Sequence, residues 1–277
     1  MKEDTSFTCD MVIARYKEDL HWLPKYQDRP FRNIYIYNKF DNDKHKVAKD
    51  LGCIYNGKEC IKIDLANEGR CDHTYLHHIV SNYDNLADVT IFTKGSSDMH
   101  RERKKLAFTI DKVFETKDTV MSVDNHPTAM HIHAKDFKLN SYRASHPKNH
   151  HGIFDIHGFK MKPASPRPFG KWFEKHFPGI LIYKGIYSGI FSIARKHIHQ
   201  HPKSYYEIFL KELEGHSNPE VGHYIERSWI AIFHPIPDNC LYDSLISELK
   251  YRGGSRRKQT RKNKRRPKRA RSFKIYK

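Results

Sequence analysis

The chain has 277 residues and carries 50 Lys+Arg against 32 Asp+Glu, a formal charge of +18. The excess is local: residues 252–277 hold 14 Lys/Arg and no acid, so the rest has 50 − 14 = 36 basic and 32 acidic residues, only +4. A near-neutral body with 38% hydrophobic and 13% aromatic residues is not collagen, coiled coil or a wholly disordered chain, and it is long enough to bury a core.

Residues 10–16, DMVIARY, predict a first strand. KEDLHWLPKY predicts a short helix or turn broken near Pro24, and NIYIY (33–37) a second strand, being β-branched and aromatic. A polar loop and a short helix or turn follow, then an alternating third strand over 60–67. In residues 73–86, Leu76, Ile79, Val80 and Tyr83 recur at i, i+3, i+4, i+7, which predicts an amphipathic helix. DVTIFTKG (88–95) reads as a fourth strand, and 101–117 as a charged helix striped by Leu106, Ile110 and Val113. Periodicity fades over 118–165, which reads as a long, partly irregular connection able to lie over a site as a lid. Helices are expected over 165–177 and 205–213, and a small-residue strand running into a turn over 185–198. A last helix is expected over 217–233, with Asn218 as N-cap and Pro219 at N1. From 251 onward the basic tail reads as disordered. Alternating strands and helices predict one α/β domain over 8–250, a largely parallel sheet flanked by helices in a Rossmann-like layering.

No apolar run approaches the length of a membrane span, and the polar start MKEDTSFTCD lacks the apolar core of a signal peptide. Five cysteines, an odd number with no CxxC, read as reduced thiols in a cytoplasmic protein.

In an open α/β sheet, ligands bind beyond the carboxyl ends of the strands. The residues there are Arg15, Tyr16, Glu18 and Asp19 after strand one, and Asn38, Asp41 and Asp43 after strand two. Asn67, Glu68, Gly69, Arg70, Asp72 and His73 follow strand three, and Lys94, Gly95, Ser96, Asp98 and His100 follow strand four. Arg70 before a helix start suits a nucleotide diphosphate, through free N–H groups and a planar guanidinium; the residues alone favour a plain turn capped by Asp72, with Arg70 in a surface ion pair. His73 and His77 share a helical face but lack the nearby Cys or carboxylate partners of a zinc site. Asp41-Asn42-Asp43 has the DxD form, and Asp98 with His100, one carboxylate and one imidazole, is the alternative pair for a divalent ion. Glu226-Arg227 sits beside the apolar face of the last helix, where a carboxylate can serve as general base or form a salt bridge. The motifs GxGxxG, GxxxxGK[ST] and GxSxG do not occur.

The segments VIARYKEDLHWL (12–23), IYIYNK (34–39), NEGRCDHTYLHHIVSNYDNLADVTIFTKG (67–95), GIFSIARKHIHQHPKSYYEIFL (189–210) and HYIERSWIAIF (223–233) together resemble an uncharacterised domain family of fungi, bacteria and large DNA viruses. The opening strand followed by RYxED, and GIFSIARKHI followed by an acidic helix, are loosely similar to nucleotide-sugar transferases of the GT-A type. That resemblance implies a glycosyltransferase-like enzyme moving a sugar from a nucleotide-sugar donor to a glycan or protein acceptor. It implies Arg70 with Arg15 on the diphosphate, Glu18, Asn67, His73 and Arg227 about the substrate, Asp98 and His100 on Mn²⁺ or Mg²⁺, and Glu226 as base. TIFTKGSSD departs from the pattern, having no DxD after its strand. The tail is similar to the basic extensions of many giant-virus proteins. Its cations would bind nucleic acid or another polyanion by counterion release, in an infected cell or virion, and this gives the alternative of a non-catalytic binding or packaging protein.

Overall fold

In a computed structural model of the chain, residues 7–40, 53–55, 57–139 and 160–244 are described. Strand β1 (Cys9–Arg15) is buried along its whole length, and β2 (Asn33–Asn38) runs parallel to it. A two-stranded hairpin, β3 (Ile54–Tyr55) and β4 (Lys58–Glu59), precedes β5 (Ile61–Asp64), which pairs parallel to β2. Helix α1 (Arg70–Ser81) then leads across the sheet to β6 (Val89–Lys94), parallel to β1 on its other side. After α2 (His100–Thr116) come β7 (Met121–Asn125), the short α3 (Met130–His133) and α4 (Phe169–His176). The chain continues through β8 (Lys184–Gly185), β9 (Phe191–Ala194), α5 (Arg195–Ile198), α6 (Lys203–Leu213), α7 (Glu220–Ile232) and β10 (Leu241–Asp243).

The main sheet has the order β5-β2-β1-β6-β9, with β9 alone antiparallel. A second sheet, β10-β7-β8, is joined to it by an antiparallel bridge between Val120 and Ser192. Because β7 opposes β9 and β9 opposes β6, the carboxyl ends of β6 and β7 lie on the same edge. Side chains alternate across β1. Val12 and Ala14 face a core made with α1, α4, α6 and α7, while Met11 and Ile13 face a smaller core capped by Leu106, Ile110 and Val113 of α2.

The α/β class and the mostly parallel, helix-flanked sheet agree with the sequence reading. The differences are local. Pro24 does not break the segment after β1; it sits inside a 3-10 turn, Leu23–Tyr26, where its missing N–H is harmless. The third strand is shorter than expected and ends at Asp64. Helix α1 starts at Arg70, three residues early, so Asp72 lies in its first turn and is not its cap. Helix α7 starts at Glu220, with Pro219 rather than Asn218 at the N-cap. The partly irregular stretch after 118 contains β7 and α3, whose shortness hides them from a periodicity reading. Residues 140–159, the DxD at 41–43 and the tail after 244 lie outside the described residues. Cys53 and Cys60 are disulfide-bonded across the β3–β4 hairpin, and Cys9, Cys71 and Cys240 are free. This corrects the reading of five reduced thiols, and the cytoplasmic expectation loses that support.

Gly69 fixes where α1 enters. Its φ is +55°, and a Cβ there would sit 2.7 Å from the Cβ atoms of both His73 and Leu213. Gly69→Ala is expected to destabilise the fold by about 2–4 kcal/mol, from left-handed strain plus overpacking. Urea unfolding at neutral pH measures it; a loss under about 1 kcal/mol would mean the turn rearranges freely.

Candidate functional site

The chain leaves β1 for β2 and β5 on one side, then returns to β6 on the other. Strand order therefore reverses between β1 and β6, which opens a crevice at their carboxyl ends. The β1 side of this crevice is built from buried groups. Arg15 is 4% exposed; its Nε donates to the Glu18 carbonyl at 2.6 Å and its Nη1 to Asn38 Oδ1 at 2.7 Å. Glu18 Oε2 in turn accepts the Tyr16 and Lys17 amides at 2.7 and 3.1 Å. That carboxylate lies against Gly95, where an added Cβ would come within 2.7 Å of it. Arg15 and Glu18, expected on substrate, thus spend these bonds holding the loop after β1 and the end of β2.

On the floor, Lys39 follows β2 and is 4% exposed. Its ammonium donates to the carbonyls of Glu68 and Arg70 and lies 3.5 Å from His73 Nδ1. Burial lowers its pKa to about 7, against the pull of Cys71, Asp72 and Glu68. His73 is 6% exposed, stacks on His77, and is held neutral by burial and by the nearby Lys39, with its pKa lowered to about 3. It is a packed, hydrogen-bonding histidine under the site. Asn67 is half-buried in the turn before α1.

The charged centre forms where α1 meets α7. Asp72 is 2% exposed and accepts the Trp229 indole N–H at 3.0 Å. Its carboxyl is pushed well above the usual range by burial and then by Glu226. The neighbouring Cys71 thiol, half-buried, is pushed up to about 12 by burial. Four charges act on that thiol from three elements: Asp72 and Arg70 of α1, Glu226 of α7 and Lys94 of β6. Arg70 has a φ of +55°, a strained setting for a side chain with a Cβ, and its guanidinium reaches Asn218 Oδ1 at 3.4 Å. Lys94 faces Glu102 at 3.5 Å.

The far wall comes from β7 and the segment before β9. Tyr187 lies in the field of Arg227, Asp124 and Glu226, and its hydroxyl pairs with His126 Nε2 at 3.0 Å. The Arg227 guanidinium stacks 4.0 Å from the centre of the Phe137 ring and donates to the His223 carbonyl at 2.7 Å. Lys105, one helical turn beyond Arg101, is half-buried; burial lowers its pKa, with Asp124, Arg101, Lys94 and Glu102 as charged neighbours.

Asp98 and His100 are both exposed where β6 gives way to α2. Asp98 approaches His21 Nε2 at 3.7 Å, and His21 is itself paired with Asp19. Among the described residues no group of three His, Cys, Asp or Glu side chains is arranged to hold a metal ion. Among the described residues the two expected ligands lack a third protein donor.

A family model described as a protein of unknown function (DUF3431) matches residues 11–245, which span the sheet, α1 and α7. The chain belongs to the DUF3431 family. No curated protein matches it. The DUF3431 match thus covers every element that builds the crevice.

The structure brings Arg70 and Glu226 to one centre, as the strand-end rule and the helix face led one to expect. Lys94 was visible as the last residue of a strand. Asp72 was visible as one of the residues after strand three and as a cap, and Cys71 gave no signal of its own. Lys39, Asp124, Lys105 and Tyr187 were not singled out, because only the tertiary fold places them on this edge.

Proposed function

We propose that the DUF3431 domain is a GT-A-type transferase that moves a sugar from a nucleoside-diphosphate donor to an acceptor hydroxyl. The observation carrying this reading is the gathering of Arg70, Lys94 and Glu226 around Cys71 and Asp72 at the strand-order reversal. An open parallel sheet with one antiparallel strand beside β6 suits it as well. Arg70 and Lys94 hold the diphosphate and stabilise the charge that grows on it as it leaves. Glu226 takes the proton of the acceptor hydroxyl while that oxygen bonds to the sugar carbon; the carbon–phosphate-oxygen bond breaks and its electron pair stays with the diphosphate. Asp72, whose carboxyl is raised by burial and then by Glu226, lies beside that base.

The test is thermal unfolding of the full chain with nucleotides and nucleotide sugars, with and without Mn²⁺. A donor at about 100 times its Kd adds about 2.7 kcal/mol, a readily seen shift. Arg70→Gln and Lys94→Gln should remove the shift. Glu226→Gln should keep it and slow transfer by about 10²–10⁴-fold. A shift that needs Mn²⁺ would bring Asp98 and His100 back as ligands acting with donor phosphates. No shift with any nucleotide, on protein that melts cooperatively, would sink the transferase reading. Retention on a polyanion through residues 252–277 would then favour the binding protein.

A further inference from the structure

Glu226 and Arg227 are consecutive in α7, and both are half-buried where the charged centre meets the far wall of the crevice. Four other arginines each meet a carboxylate: Arg29 meets Asp111, Arg32 meets Asp10, Arg167 meets Glu220 and Arg195 meets Asp88. Arg227 does not. Its Nη1 donates back into its own helix, to the His223 carbonyl at 2.7 Å, and among the described residues it makes no other hydrogen bond. Its guanidinium lies 4.0 Å from the centre of the Phe137 ring and 5.7 Å from that of Tyr187. Both of these residues are held in place: the Tyr224 hydroxyl donates to the Phe137 carbonyl at 3.2 Å, and the Tyr187 hydroxyl pairs with His126 Nε2 at 3.0 Å. Glu226 makes no hydrogen bond or ion pair among the described residues.

A half-buried charge without its partner costs free energy, and a guanidinium already stacked on a ring offers its remaining N–H donors in a fixed plane. The same wall holds a third unspent group: Ser188 Oγ is shut off from solvent and has no hydrogen-bond partner. Ser188 follows Tyr187 and precedes Gly189, whose backbone reaches the charged centre. A Cβ at Gly189 would sit 3.1 Å from Cys71 Sγ, and the Tyr75 hydroxyl donates to the Gly189 carbonyl at 2.7 Å. Residues 187–189 therefore run from Arg227 to Cys71. The acids at this wall are Glu226 and Asp124, which act with Arg227 on Tyr187. Neither forms an ion pair with Arg227, and Asp124 accepts the Ser244 hydroxyl. Consecutive helical side chains point about 100° apart, so a hydroxyl at Glu226 and an anion at Arg227 fit on one small molecule. Arg70 and Lys94 act on Cys71 and Arg227 on Tyr187, which sets this anion apart from a diphosphate held by Arg70 and Lys94.

We propose that Arg227 holds an anionic group, a carboxylate or a phosphate, on the acceptor whose hydroxyl Glu226 deprotonates. The planar fork of the guanidinium matches the paired oxygens of either group. That the ligand is an acceptor rests on the transferase reading; that an anion binds at Arg227 does not.

The experiment is thermal unfolding of the full chain titrated with glucuronate, with glucose 6-phosphate, with glucose, and with sodium chloride at matched ionic strength. The acidic sugars are expected to raise Tm, and glucose and salt are not. A response to one acid alone tells carboxylate from phosphate. Arg227→Gln should weaken the response by about tenfold or more, since hydrogen bonds between charged groups are lost. Arg227→Lys keeps the charge and drops the fork, so its response should fall severalfold and stay above that of Arg227→Gln. If Arg227→Gln does not melt cooperatively, Arg227→Lys carries the test. An unchanged response in either variant would assign the anion to another cation and overturn the proposal. So would an equal response to glucose, or no response of the parent chain to either acid. Nucleotides run beside these probes separate the two readings. A nucleotide shift without an acid shift leaves the transferase and removes the anion at Arg227. An acid shift lost in Arg227→Gln, without any nucleotide shift, keeps the anion site and removes the transferase.

Discussion

Glu220→Ala is expected to cost about 3–5 kcal/mol of stability, because it strips a fully buried carboxylate from three donors at once. Glu220 Oε1 accepts the Leu139 amide at 2.7 Å and Arg167 Nη2 at 2.9 Å, and Oε2 accepts the Ala164 amide at 2.9 Å. The residue opens α7, where the free N–H groups of the helix also favour a negative charge. Removing it leaves two buried amides and a guanidinium short of their acceptor. Glu220→Gln keeps an acceptor oxygen but turns an NH₂ toward donors, so a smaller loss of about 1–3 kcal/mol is expected. Urea unfolding of the two variants beside the parent measures both. A Glu220→Ala loss below 1 kcal/mol would show that the clamp is not needed to hold residues 139 and 164 against α7.

Stability should fall steeply as pH drops from about 7 to 4.5. His73, His78 and His223 are 6%, 0% and 4% exposed, and burial lowers all three pKa values, to about 3 for His73 and His78. The unfolded chain protonates them near 6.5 and the folded chain does not. Unfolding therefore takes up protons below that pH, and stability present above about 6.5 is lost as pH falls toward 3. Each fully titrating histidine contributes a slope of about 1.4 kcal/mol per pH unit. Asp72 works the other way: its raised pKa means that the unfolded carboxyl gives up a proton the folded one keeps, which favours the folded state on the acid side. From these four groups, three histidines against one carboxyl leave a net uptake of about two protons, a slope near 2.7 kcal/mol per pH unit. Lys39 adds a separate rise in stability from about pH 7 toward 10.5, because its folded pKa is lowered. Unfolding free energies across this range measure the slope, and His223→Asn should reduce it by about one proton. A flat profile between pH 7 and 5 would mean that these histidines are charged in the folded protein.

The strand-end rule reached Arg70 and Lys94 because a β-strand advertises its own end. The last-helix reading reached Glu226 because it flanks an apolar stripe. Arg15 and Glu18 satisfied the same rule and turned out to hold the loop after β1, since position after a strand does not tell inward from outward. The Asp98–His100 spacing suggested a metal pair, yet at a strand-to-helix junction it leaves both side chains in solvent. Asp72 carries the most perturbed carboxyl of the centre, and its burial depends on Trp229, far along the chain. No local pattern encodes that meeting.

By itself the sequence determined the α/β class, the long amphipathic helices and the residues at the strand ends, because hydrophobic periodicity and strand propensity act over a few neighbouring residues. The tertiary structure alone decided the reversal of strand order at β1, the antiparallel β9, the Cys53–Cys60 bridge and the gathering of Arg70, Asp72, Lys94 and Glu226. Those depend on which distant segments pack together, and on the desolvation that packing imposes on charges that would be ordinary in water.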